Sequence, residues 1–318
     1  MVILGVIAAF LAALYQTTPS PVVTPTETTT VESGNAQTEA PFEVLTQEDL
    51  TVITGNVQRP NGMQWFNGFL YVICTGDWTI YEVDSMTGST ETFISGVRNS
   101  HTLVVEQGTS DRPRIWVPDS DTSRLLEVDQ MRSPKPSASD LETPWGITVF
   151  DDDSFLMTSL GANTLMRVTR TGEVTTIAAE LRSPTGVTVD DERVYVANSG
   201  SSRRAIEWLD REAVESGSEA VMQPLVRGLQ NVANITMGSD GYLYFAYAIG
   251  VRGVVGRVMP GECAENGGCD NDQVELVLYT DLSAPLAGLT ISEDRRIFVH
   301  TLFRPEIYWA SLDPQAQN

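Results

Sequence analysis

The sequence predicts an all-β fold, a six-bladed β-propeller of four-stranded antiparallel blades whose last blade is closed by a strand from the N-terminal side. Three observations predict it. After Phe42, apolar residues fall in short alternating runs parted by Gly, Asp, Asn, Ser and Pro, which is the period of a half-buried strand. One plan then recurs six times at a step of about 40 to 50 residues, the size of a propeller blade. Finally, the sixth unit shows three strands, while an unassigned run, Leu50-Thr51-Val52-Ile53-Thr54, precedes the first unit. Placed as the outer strand of the last blade, that run completes it and shields sheet edges that would otherwise seek partners.

Each unit opens on small residues or a Pro/Gly pair. The openings are Pro60-Asn61-Gly62-Met63, Ser100-His101-Thr102-Leu103, Pro144-Trp145-Gly146-Ile147, Pro184-Thr185-Gly186-Val187, Val232-Ala233-Asn234-Ile235 and Leu286-Ala287-Gly288-Leu289. Asn61, His101, Trp145 and Thr185 follow one another at steps of 40, 44 and 40 residues. Second strands fall at 70–72, 115–117, 155–157, 194–196, 243–245 and 297–299, and third strands include 79–83, 124–128, 164–168 and 306–309. The two later steps are longer because of insertions at 212–222 and 261–273. The second blade is the least complete, since 131–140 offers no good fourth strand, and 205–214 is the one helical turn expected.

The chain divides into a hydrophobic leader (1–16), a Thr/Pro-rich linker (17–45), the propeller (46–313) and a short tail (314–318). Val2 to Leu14 is shorter than the roughly 20 residues of a comfortable membrane span and has the length of a signal-peptide apolar core. No basic segment precedes it and no convincing cleavage site follows, which leaves a start placed too far downstream or an unusually short anchor. The Thr, Pro, Ser and Glu stretch behind it buries too little to offset its chain entropy and reads as a solvated stalk. The expected location is extracytoplasmic, secreted or tethered, with membrane contact only through the N-terminal segment and a monomeric propeller. The 42 acidic residues outnumber 20 basic ones for a net charge of −22, and Lys135 is the single lysine. Such a surface lacks the clustered cations that phosphate binding needs, which excludes nucleic acid as a partner.

Cys263 and Cys269 flank a Gly/Asn segment that can bend enough to join two sulfurs, and an exported protein oxidises such a pair. A zinc site would need further Cys or His partners that the segment lacks. Cys74, inside an apolar run, reads as a small buried hydrophobe.

With the blades placed, two links between second and third strands become informative. Ile115-Trp116-Val117-Pro118-Asp119-Ser120 with Arg124, and Val194-Tyr195-Val196-Ala197-Asn198-Ser199 with Arg203, resemble the NHL-repeat signature. The Pro-x-Gly-Ile/Val openings are also similar to those of senescence marker protein/gluconolactonase-like propellers. The resemblance covers about residues 50–312 and implies the fold; for function it implies little, since such propellers include enzymes, scaffolds and ligand binders.

In a propeller the first strand of each blade lines the central channel. In this register the lining ring is Asn61, His101, Trp145, Thr185, Ala233 and Ala287, with Asn234 beside it if the frame shifts by one. The resemblance implies a divalent ion held here by a Glu, an Asp and Asn side chains. Asn61 and Asn234 match the amides, but no ring position is acidic, so calcium would bind weakly and no cofactor is expected. Virginiamycin B lyase-like propellers use channel histidines as bases, which makes His101 the catalytic candidate; His300 follows the last second strand. Further ligand-binding candidates are Asp119, with Asp121, Asn198 and Tyr247, the last joining Trp145 and Trp78 in a stacking surface near the mouth. Trp65, Trp116, Trp208 and Trp309 read as spacers between blades. Asp151, Asp152 and Asp153 form a turn, and Gly238-Ser239-Asp240-Gly241 is a hairpin, since no helix follows to receive a phosphate. The sequence thus points to a non-catalytic module binding a small molecule, glycan or protein. A lactonase-like hydrolase or lyase is the alternative, and a quinone-dependent redox enzyme a third for which no residues stand out.

Overall fold

The computed structural model describes residues 43–109, 112–129 and 131–313. The leader, the linker up to residue 42 and the tail lie outside the described residues. Six antiparallel sheets form the propeller, each meandering from an inner strand to an outer one. Blade one runs Pro60–Phe66, Phe69–Cys74, Thr79–Asp84 and Thr90–Ser95. Blade two runs Val104–Glu106, Arg114–Asp119, Arg124–Val128 and Pro134–Ala138. Blade three runs Pro144–Asp151, Ser154–Ser159, Thr164–Thr169 and Val174–Ala178, and blade four Pro184–Val189, Arg193–Asn198, Ile206–Asp210 and Gln223–Val226. Blade five runs Gln230–Met237, Leu243–Ile249, Arg252–Val258 and Glu275–Ser283. The last blade has inner strands Leu286–Ile291, Arg296–Thr301 and Ile307–Ser311, and its outer strand is Thr51–Thr54. That strand pairs antiparallel with Ile307–Ser311, Thr51 opposite Trp309 and Thr54 opposite Ile307, so the ring closes as the sequence predicts.

Four details differ from the sequence reading. Blade two does have a fourth strand, Pro134–Ala138, paired with Arg124–Val128 across a bulge at Pro136. Its prolines hid it; they are tolerated because an outermost strand needs no second row of N–H donors. The 205–214 segment is mainly the strand Ile206–Asp210, and the helix there is the single turn Arg211–Glu215. A second short helix, Pro260–Glu265, begins at the proline, which suits a first helical turn because its missing N–H is not needed there. The fifth blade also gains a short parallel strand, Leu45–Thr46, on its outer edge.

The core lies between blades. At the first interface Tyr71, Ile73 and Ile80 pack on Leu103, Val105 and Ile115, all fully or almost fully buried. Each such side chain contributes about 1.5–3 kcal/mol by leaving water. Trp116 behaves as the spacer expected of it: it is buried, its ring lies 4.7 Å from Phe155, and Arg170 covers it. Cys263 and Cys269 form a disulfide, and Cys74 is buried with its thiol pushed up by desolvation. Among the described residues no helix is long and apolar enough to cross a membrane.

One repeated device positions the channel. In five blades the pairing of first and second strands slips just past the opening residue: at Pro60/Gly62, Pro144/Ile147, Pro184/Val187, Gln230/Asn234 and Leu286/Gly288. A bulge of this kind re-aims a side chain without breaking the sheet. The glycine beside it has a separate cause. A Cβ on Gly62 would sit 2.3 Å from the His101 carbonyl oxygen, and one on Gly146 2.2 Å from that of Thr185. Glycine at these places is the clearance for the next blade's inner strand.

Candidate functional site

The six opening residues meet at one end of the channel. Asn61, His101, Trp145, Thr185, Ala233 and Ala287 all line a cavity of about 610 Å³. The sequence reading missed its outer wall. Arg59, Asn99 and Asn231 stand two positions before a ring residue, Thr75, Ser199 and Leu302 come from the loops after second strands, and Pro285 completes the rim. Arg59, Asn99, Thr143, Ser183 and Asn231 share a left-handed backbone, with φ of 52°, 40°, 63°, 52° and 50°. Hydrogen bonds hold this conformation in place: Thr75 N donates to Arg59 O, Leu160 N to Thr143 O and Ser199 N to Ser183 O, at 3.0–3.1 Å. The signal was present in the sequence as the residue before Pro60, Pro144 and Pro184, but a left-handed Arg or Thr has no residue-type signature.

The polar centre is an Asn–His–Trp assembly. Asn61 is buried, and its Nδ2 donates to Ser100 O at 3.0 Å and meets Nδ1 of His101 at 2.6 Å. A carbonyl only accepts, so the contact with Ser100 orients the amide with nitrogen toward both partners. Nδ1 of His101 is then the acceptor, and the ring proton is assigned to Nε2. Burial holds the imidazole neutral, lowering its pKa to about 4, while the charge of Asp121 opposes the shift. Asn99 Nδ2 donates to that carboxylate at 2.9 Å. The imidazole lies flat on Trp145, centroids 3.3 Å apart and planes within 8°. Trp145 is anchored through its carbonyl, which accepts from Thr102 Oγ1 at 2.5 Å. Thr185 spends its hydroxyl on Val232 O at 2.9 Å. The assembly therefore sets a half-buried indole, one face of it covered by the imidazole, and an imidazole N–H donor in the cavity wall.

Other candidates lie elsewhere. Asn234 lines a second cavity of about 380 Å³ further along the channel, and its amide donates to Ala287 O at 3.3 Å. Asp119 is buried and accepts from the N–H groups of Asp121 and Thr122 at 3.1 Å each, so it builds its own turn rather than the mouth. Asn198 is likewise buried, bonded to Arg182 N, Arg204 O and Glu207. Tyr247 belongs to the core of blade five, 5.8 Å from Phe245, and leaves the stacking surface to Trp145. Trp78 is exposed and lies under Arg98 at 4.6 Å. Trp65, read as a spacer, lines the second cavity. His300 is fully buried, lies against Gly288, and both ring nitrogens lack a hydrogen-bond partner among the described residues. Asp151 is a turn residue that also pairs with Arg167 at 2.6 Å.

The donor set at this channel end is poor for calcium. No Asp or Glu lines the cavity, the Asn61 amide could offer only its oxygen, and no cluster of three or more His, Cys, Asp or Glu able to hold a metal exists among the described residues.

The fold and the channel define a six-bladed β-propeller with its candidate site on the inner-strand ring. No family profile matches the chain, and no curated protein matches it in sequence. Among solved structures it is similar to a gluconolactonase from Xanthomonas campestris, with TM-score 0.65 and 13% identity over 82% of this chain and 89% of that one. It is also similar to virginiamycin B lyase from Staphylococcus aureus, with TM-score 0.57 and 15% identity over 83% and 99% of the two chains. A third is the calcium-binding protein regucalcin from Agrobacterium tumefaciens, with TM-score 0.61 and 12% identity over 84% and 94%. The structural neighbours are thus gluconolactonase-like and virginiamycin B lyase six-bladed propellers, the fold that the sequence resemblance implied.

Proposed function

We propose that this chain is a non-catalytic, extracytoplasmic propeller that binds a small molecule or glycan in the cavity at the His101 end of its channel. The observation that carries the reading is the Asn61–His101–Trp145 assembly. A general base needs a free lone pair facing its substrate. In His101 the Nδ1 lone pair is engaged by Asn61 and Nε2 carries the proton, so the ring is arranged to donate rather than to abstract. An aromatic surface with a few fixed donors and a volume of about 610 Å³ is the usual make-up of a small-ligand site. The Cys263–Cys269 disulfide supports, and does not by itself establish, an oxidising compartment.

The test is a calorimetric screen of uncharged sugars and flat aromatic compounds against the wild type and Trp145→Ala. Binding that Trp145→Ala weakens at least tenfold is expected; ligands that bind both equally overturn the reading. The likeness to a gluconolactonase and a lyase favours a hydrolytic or lyase-like alternative, which calcium decides. A melting temperature raised by micromolar calcium and lost in Asn61→Ala would favour the enzyme.

A further inference from the structure

We propose that the ligand of this cavity is a flat, negatively charged molecule, an aromatic or heteroaromatic acid whose ring lies on the Trp145–His101 surface and whose anionic group meets Arg59. The inference rests on the binding reading above and adds the chemical class. Charge selects the sign. Arg59 is the one charged side chain among the described residues of the cavity wall, in a protein of net charge −22. It is exposed and forms no ion pair with a described residue, a state it shares with Arg98, Arg182 and Arg304, whereas Arg167, Arg170, Arg204, Arg257 and Arg296 are paired with carboxylates. An unpaired guanidinium on a cavity whose lining holds no carboxylate, the nearby Asp121 being engaged by Asn99, offers a planar donor fork to an anionic group.

Topology supports the same sign. The turns between first and second strands lie at the opposite end of the channel, and in blades three to six they carry Asp151 to Asp153, Asp190 to Glu192, Asp240, and Glu293 with Asp294. The loops at the cavity end carry charges of both signs, Arg98, Arg182 and Arg304 among the bases and Asp77, Asp121, Asp140, Glu142, Glu180 and Glu306 among the acids. Much of the acidic surplus thus faces away from Arg59, and an anion approaching this end meets mixed charge rather than a negative wall. Shape selects the rest. Trp145 is half-buried and lines the cavity, and the parallel stack with His101 fixes the plane of its ring. A planar ligand matches that surface, and the Nε2–H of His101 adds a donor beside it.

The experiment uses the full chain and three probes of one shape, 1-naphthaleneacetate, its neutral amide and 1-naphthylmethylammonium, measured by calorimetry at pH 7.5 and low salt. The acid is expected to bind at least tenfold more tightly than the amide, with the ammonium weakest. Arg59→Gln is expected to bring the acid down to the amide's affinity and to leave the amide unchanged; as an exposed residue, Arg59 tolerates the exchange, and an unaltered melting temperature verifies this. Trp145→Ala is expected to weaken all three. Equal binding of acid and amide, or an acid preference that survives Arg59→Gln, overturns the anion proposal and leaves the binding cavity intact. Failure of all three probes to bind overturns the aromatic cavity reading itself.

Discussion

Acid should destabilise this protein well above the carboxylate range, and its only two histidines supply the reason. His300 is completely buried behind the channel wall, with neither ring nitrogen bonded to a described residue, and desolvation lowers its pKa from 6.5 to about 4. His101 is lowered to the same value. With the folded pKa below the unfolded one, the unfolded chain takes up protons first as pH falls through 6.5, so stability drains away until the folded state titrates near 4. The slope is about 1.4 kcal/mol per pH unit per histidine. Between pH 7.5 and pH 5, each histidine therefore removes about 2 kcal/mol, and the pair about 4. The lowered carboxylates Asp84, Asp151, Asp240 and Asp294 act below this window, because their stabilisation is lost only as pH falls past the ordinary carboxylate value of 3.8. Urea unfolding at pH 7.5 and pH 5 measures the drop. His300→Gln keeps a polar side chain of similar bulk, and its drop between the two pH values should be about 2 kcal/mol smaller than that of the wild type. The same drop in both proteins would refute the burial argument.

Three further outcomes follow from the geometry. Gly62→Ala places a methyl 2.3 Å from the His101 carbonyl, so the blade interface must part. A loss of about 1–3 kcal/mol is expected in urea titrations, against at most about 1 kcal/mol for Gly68→Ala, whose Cβ would meet nothing within 4 Å although its φ of +87° disfavours alanine. Replacing Cys263 and Cys269 by serine opens a loop of six-residue separation, and about 2 kcal/mol of stability should disappear, read as a lower melting temperature that reducing agent does not lower further. Removing the closing strand with everything before residue 55 exposes the edge of Ile307–Ser311. Light scattering should then show association, and a monomer with unchanged stability would contradict the role of Thr51–Thr54.

The sequence carried the ring because its restraints are of residue type. Proline and glycine at fixed offsets mark where the inner strand begins and where the next blade crosses it, and alternation marks the strands that follow. Its failures have the same origin. Pro134 and Pro136 argued against a strand, yet an outer edge accepts them. Asp119 and Asn198 looked like loop ligands because the motif shows which polar residue comes next and not whether its side chain turns inward; here backbone N–H groups and Glu207 claim them. The sequence reading sets Tyr247 just after a second strand, but that strand runs on to Ile249, and alternation past Phe245 sends Tyr247 into the core beside Gly256, whose missing side chain makes room. Arg59 escaped notice because its backbone is fixed by the carbonyl bond from Thr75, a partner 16 residues away.

What makes the ring legible also leaves its chemistry open. In blades one, three and four the opening residue is framed on both sides, by the left-handed residue and proline before it and by the glycine and bulge after it. Between these restraints the side chain itself does little for the fold: Ala233 and Ala287 hold the same place in the ring as Asn61, His101 and Trp145. A position held by its neighbours can change identity without loosening the blade. That separation accounts for a gluconolactonase, a lyase and a calcium-binding protein sharing this architecture with the present chain at 12–15% identity. On the proposed reading, ligand class is accordingly set by the groups beside the ring, the engaged Asn61 amide, the neutral imidazole and Arg59, rather than by the blades that carry them.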